Sequence, residues 1–224
     1  MAEAGTPRAR YRNEVVAQIK RLADAQLEQI GASGLSLSAI ARELGMSGPA
    51  LYRYFPSRDA LLSALITDAY NDLADRLTEV TSAAGDREPL REFLVAYRQW
   101  ALANPHRYRL LYQPPIPGFD PNEQELVASA LRSMAVLLGL ISRTLPPSSE
   151  LLTADLVSSF TVWTQDVGID ATPLDVLTAL RIWSRLHGFV SLEIAGNFAI
   201  MAPATDALFD LELASMLGPR AEGT

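Results

Sequence analysis

Apolar residues recur at three- and four-residue steps along most of the chain, and no stretch alternates in the way a strand would. Val16, Ile19, Ala23, Leu27 and Ile30 predict a first helix over residues 11–30, stopped by Gly31 and Gly34. Leu61, Leu62, Leu65, Ile66, Ala69, Leu73 and Leu77 supply the buried stripe of a long helix over 58–83. Phe93, Leu94, Tyr97, Trp100 and Ala101 predict another over 90–103, ended by Asn104–Pro105, with a short helix over 106–112. Four prolines and Gly118 make 113–121 a loop. Further long helices are expected over 122–145, 150–168, 173–196 and 204–217, with Pro146–Pro147 and Gly218–Pro219 as stops. The pattern is all-α: a small head (1–60), a helix that leaves it, and a larger helical body (61–224). Residues 1–10 are small and polar around Pro7 and are expected to be disordered, as is the tail after Arg220.

Between the first and the long helix lies LSLSAIARELGMSGPALYRYFPSR, residues 35–58. Ser36 sits where a helix N-cap belongs, and such a cap is worth ~1 kcal/mol. Ala39 stands where Glu or Gln would close a capping box. Ile40, Ala41 and Leu44 form an apolar face, and Gly45 ends the helix because glycine enters the left-handed region cheaply. Ser47 opens a second short helix, with Pro49 tolerated in its first turn. Leu51 and Phe55 face the core, leaving Ser47, Gly48, Pro49, Ala50, Arg53 and Tyr54 pointing elsewhere. Pro56 breaks this helix and Ser57 caps the next. Two short helices about a tight turn are the geometry of a helix-turn-helix, whose second helix enters the major groove.

Charge sharpens the picture. The chain carries a net charge of −7, which argues against a nucleic-acid partner. Residues 1–60, however, hold eight basic groups against six acidic ones, and the remainder eleven against twenty. A basic head on an acidic body turns the head toward phosphate; an asymmetric solvated surface is the plainer alternative. Arg8, Arg10 and Arg12 form either a short arm along DNA or a loose tail with incidental charge.

The run IARELGMSGPALYRYFPSRDALL resembles the DNA-binding signature of TetR-family transcriptional regulators. The resemblance rests on Ile40–Ala41, Gly45, Ala50–Leu51–Tyr52, Tyr54–Phe55 and Arg58, and covers residues 11–65. It implies a homodimeric regulator that binds double-stranded operator DNA and is released, as a repressor, by a small mostly apolar effector. Ser36, Ser38, Tyr52, Tyr54 and Arg58 match family positions at or near phosphates. Ser47, Gly48, Pro49, Ala50 and Arg53 would face base edges, Arg53 reading a guanine and Ala50 a thymine methyl. A helical interaction module that reads no DNA is the rival.

Trp183, His187–Gly188, Glu193 and Gly196, with NPHRYRLLY at 104–112, resemble a TetR subgroup named for its Trp-His-Gly signature. In the family the last two long helices pair with their twofold mates, which here means 150–168 and 173–196. Both are apolar on more than one face, so each needs a second burial surface, within the chain or on a partner. Tyr97, Trp100, Tyr108, Tyr112, Trp163, Asp166 and His187 are the candidate effector-pocket residues; ordinary core is the alternative for each aromatic.

Catalytic chemistry finds no footing. There is no cysteine, the two histidines lie far apart in sequence, and no zinc spacing, phosphate loop or nucleophile elbow occurs. No enzyme activity, cofactor, metal or membrane partner is expected, and the cysteine-free composition fits a cytoplasmic location.

Overall fold

The computed structural model describes residues 6–85, 88–112, 124–145, 151–201 and 204–217, and among these every regular element is helical. The expected loop at 113–121, Asn122, Glu150, the proline pair at 146–147 and the stops and tail from 218 onward lie outside the described residues.

α1 (Pro7–Ile30) starts earlier than the pattern predicts. Of the residues 1–10 expected to be disordered, 1–5 lie outside the described residues, while at 6–10 the Thr6 side chain accepts a hydrogen bond from Ala9 N–H and Pro7 occupies the first turn. Proline there costs no helical bond, so Pro7 starts a helix rather than interrupting one. The buried stripe is Val15, Ile19, Ala23 and Leu27; Val16 is half-buried and Ile30 exposed, so the stripe departs from the expected one at both ends. A single 3-10 turn (Ala32–Gly34) then leads to α2 (Leu37–Glu43), α3 (Gly48–Tyr52) and α4 (Arg58–Ala84). Ser57 caps α4 by accepting from Ala60 N–H at 3.0 Å.

α5 (Pro89–Ala103), α6 (Pro105–Tyr112), α7 (Gln124–Thr144), α8 (Ala154–Val167), α9 (Pro173–Ile194), a one-turn α10 (Phe198–Met201) and α11 (Thr205–Leu217) follow among the described residues. α8 begins at Ala154 rather than 150, because Thr153 is its N-cap and accepts from Leu156 N–H. α9 opens on a full capping box between Thr172 and Asp175, with Pro173 in the first turn.

The described residues fall into two compact units. Unit 1 comprises Met1–Ala69 and Asn104–Val127; unit 2 comprises Tyr70–Ala103 and Ala128–Thr224. In unit 1, α6 is tied to α1 by Arg107, which grips Asp24 through Nε and Nη2 at 3.0 and 2.7 Å. Lys20 of α1 pairs with Asp68 of α4 at 2.8 Å. In unit 2, α5 packs on α9 and α11. Arg98 joins all three: it bonds Glu193 through Nε and Nη2 at 2.8 and 2.5 Å, and Asp206 at 2.6 Å. By length and composition α7 is apolar enough to cross a membrane. Within unit 2 it buries Leu137, Leu138, Leu140 and Ile141, and its Arg132 reaches Asn71 and Asp75 of α4.

Candidate functional site

The helix-turn-helix is built by local chemistry. Ser36 Oγ accepts from Ala39 N–H at 3.3 Å and lies 3.0 Å from Ser38 Oγ. The Ser36 N–H itself donates to Gln26 Oε1 of α1 at 2.9 Å, fixing where α2 begins. Gly45, at φ 64°, turns the chain between α2 and α3, and Met46 N–H closes back on Ala41 O at 2.8 Å. Leu51 is fully buried and Phe55 buried, so α3 is held from below.

The candidate base-facing and phosphate-facing residues share this small surface. Ser47, Pro49 and Arg53 are exposed; Gly48 and Ala50 are half-buried; Tyr52 is exposed, and Tyr54 half-buried. Ser47 is the N-cap residue by backbone geometry, but its side chain makes no capping bond. Ser38 is exposed and Ser36 half-buried. Arg58 differs from the rest. Its guanidinium donates to Leu35 O through Nε at 3.1 Å and to Ala32 O through Nη2. It therefore clamps the 3-10 turn and the start of α2 to the start of α4, and a phosphate would have to share it. Arg12 of α1 lies over the Tyr54 ring, 5.5 Å from its centre, a contact the sequence pattern does not signal.

The seven candidate effector residues divide between the units. Tyr108 and Tyr112, in unit 1, tilt against each other with ring centres 4.9 Å apart. Tyr97 and Trp100, in unit 2, are buried, and Trp100 donates its indole N–H to Asp72 at 2.8 Å. Trp163 is half-buried on α8, and Asp166 on the same helix faces solvent. An open cleft of about 480 Å³ lies in unit 1, floored by Ala17, Leu65 and Ala69 and walled by the Lys20–Asp68 and Asp24–Arg107 pairs. None of the seven residues lines it.

His187 is half-buried and stacks on Trp183 with ring centres 5.5 Å apart. Burial holds its imidazole below the ordinary value of 6.5. The unfolded chain then takes up a proton that the folded chain resists. The stability tied to this group is complete above pH 6.5 and is lost as pH falls through 6.5 toward the lower folded value. Urea midpoints measured from pH 7.5 to 5 should drop more steeply for the wild type than for His187→Gln; parallel curves would remove the histidine as the cause.

α8 is the least buried long helix of unit 2. Thr164 is its one buried residue, while Leu156, Val157 and Val162 are exposed. α9 buries Val176, Ala179, Ile182, Leu186, Phe189 and Val190 on one side and exposes Leu180 and Leu192 on another. The two helices thus carry an apolar face that the single chain leaves open to water.

Known proteins share both halves of this arrangement. Residues 19–65 match the family described as bacterial regulatory proteins, tetR family, and residues 90–216 match the tetracyclin repressor-like C-terminal domain. The HTH-type transcriptional regulator Rv1816 of Mycobacterium tuberculosis is 34% identical over 220 residues, with 94% of each chain covered. Among solved structures, a protein assigned as regulatory (SCO4313) is 40% identical at a TM-score of 0.80, covering 96% of this chain and all of that one. The TetR family regulator PfmR of Thermus thermophilus shares the fold at a TM-score of 0.58 and 18% identity, covering 89% of this chain and 97% of that one.

Proposed function

Because the chain belongs to the TetR family of transcriptional regulators, we propose that it is a homodimeric repressor released from operator DNA by a small, mostly apolar effector. The observation that carries the DNA reading is the exposed face of α3 and its two caps. Ser47, Pro49 and Arg53 project from a helix whose opposite side is locked by Leu51. Gly48 and Pro49 offer no side-chain donor, so Arg53 is the main base-reading donor and shape readout supplies much of the rest. Ser36, Ser38, Tyr52 and Tyr54 flank this face as phosphate contacts. The functional division is a DNA-binding domain over 1–60 and an effector and dimerisation domain over 61–224.

Dimerisation through α8 and α9 is supported by their open apolar face. A twofold pair would set two copies of α3 at half-sites about 34–36 Å apart. Tyr97, Trp100, Tyr108, Tyr112, Trp163, Asp166 and His187 remain the effector candidates, and Trp183, His187–Gly188 and Glu193 support the Trp-His-Gly subgroup. The reading places the protein in the cytoplasm with its DNA.

A mobility shift on the DNA upstream of its own coding region, repeated at rising salt, tests the function. Retention that prefers this DNA over a mixed-sequence duplex of equal length is the expected result. Retention that is equally salt-labile on both would favour a non-reading interaction module. Effector and DNA binding are reciprocal: an effector that weakens operator binding must itself be weakened by operator by the same factor, typically ~1–3 kcal/mol of coupling.

Arg58 gives a sharper expectation. Its bonds to Leu35 O and Ala32 O occupy the guanidinium. Arg58→Ala should therefore weaken binding to every sequence and lower the melting temperature together. The salt slope should fall by less than the ~0.9 per phosphate of an unencumbered contact. A full unit lost at unchanged stability would show a phosphate contact and no clamp.

A further inference from the structure

Along α1 the inward stripe runs Leu27, Ala23, Ile19 and Val15, each buried and each four residues from the last. Continued toward the N-terminus at helical spacing, the same stripe reaches Arg12 and then Arg8. The stripe changes from apolar to basic where the core of the head ends, and the helix carries on for about 12 Å past Val15. Arg12 shows which way this face looks, since its guanidinium lies over Tyr54, just past the end of α3. Arg8 is exposed and makes no ion pair with any described residue. Arg10, two residues on, lies about 200° around the helix from Arg8, on the opposite side.

From this we propose that the extended start of α1 is a rigid phosphate rail. Arg8 and Arg12 lie in register on the side of α3 and engage the DNA backbone flanking the bases that α3 reads. Arg10 is not part of it. The inference rests on the DNA-binding reading above and adds a second contact surface to it. Charge complementarity identifies the occupant: two aligned guanidiniums at the positive end of a helix, with no acidic residue in its first turn, face a polyanion. Rigidity matters, because a helix capped by Thr6 presents both charges without first having to be ordered.

The test compares Arg8→Ala, Arg10→Ala, Arg12→Ala and Arg12→Lys in the full chain. Each is titrated against duplex DNA from upstream of its own coding region and against a mixed-sequence duplex of equal length, over a range of salt. Arg8→Ala and Arg12→Ala should each lower the slope of log affinity against log salt by about one on both duplexes. Arg12→Lys should restore the wild-type slope, and Arg10→Ala should leave it unchanged. Thermal melts identify any variant whose slope change follows from unfolding. Equal slopes for Arg8→Ala and wild type, or an equal fall for Arg10→Ala, overturn the rail. A slope unchanged in Arg12→Ala, with only affinity reduced, would reduce Arg12 to a support for Tyr54 and likewise overturn it. Lack of sequence preference in the wild-type protein would instead count against the regulator reading, so the two failures are distinguishable.

Discussion

Replacing Arg98 with methionine should destabilise unit 2 by about 2 kcal/mol, between the cost of losing a surface pair and that of breaking a fully buried one. The Arg98 and Glu193 side chains are only 12% and 13% exposed, so water only partly replaces the lost partner. Arg98 bonds Glu193 twice in a fork, adds Asp206, and lies over the Phe209 ring at 4.6 Å from its centre. The bond to Glu193 is the largest influence on the guanidinium and raises its already high pKa, so the charge persists across any practical pH. In the variant, the Glu193 carboxylate stays in a protein environment with its main donor gone. Asp206, largely exposed, loses little. All three tryptophans (Trp100, Trp163 and Trp183) belong to unit 2, so intrinsic fluorescence during urea unfolding reads the effect there. The double variant Arg98→Met, Glu193→Leu should recover most of the loss, because it removes both charges rather than stranding one. A single variant within about 0.5 kcal/mol of wild type would mean that the fork contributes no more than a surface pair.

That fork is not legible in the sequence, and the reason is separation. Arg98 and Glu193 are 95 residues apart, and Arg107 and Asp24 are 83 apart. Periodicity carries information about which side of a helix is buried, but none about which charged residue meets which. The helix-turn-helix can be read because its determinants are local. Ser36 caps three residues ahead, Gly45 turns between neighbours, and Leu51 and Phe55 lie four apart on one short stretch. Local signals mislead where one residue type has two meanings. Pro7 reads as a breaker but sits in the first turn of α1, and Thr153 rather than residue 150 starts α8. The same limit divides the candidate sites. Residues of the candidate DNA face come from one contiguous stretch, so the fold brings them together. The effector candidates come from four helices, and their neighbours are set by packing: Trp100 is committed to Asp72, while Asp166 on α8 meets water.

Leu51→Ala should abolish sequence-specific DNA binding while leaving unit 2 and its proposed dimerisation intact. α3 is only five residues long, far too short to persist alone in water, so packing must hold it. Leu51 is its one buried side chain and is fully buried. Its backbone also carries the exit from the helix: Leu51 O accepts from Tyr54 N–H at 2.8 Å and Phe55 N–H at 3.1 Å. Truncation leaves a cavity beneath the helix at a cost of about 3 kcal/mol, a large share of what a small helical head has to spare. Pro49 and Arg53 then lose the fixed orientation on which the proposed groove reading depends, and misplacement would weaken every proposed base contact at once. Tyr52→Ala is the control, since that neighbour on the same helix is 52% exposed. It should change stability little and reduce affinity only through the phosphate-side contact proposed for it. Tryptophan fluorescence and sedimentation should be the same for Leu51→Ala and wild type, since Leu51 belongs to unit 1. Operator affinity in Leu51→Ala equal to that of wild type would show that α3 is not the reading element.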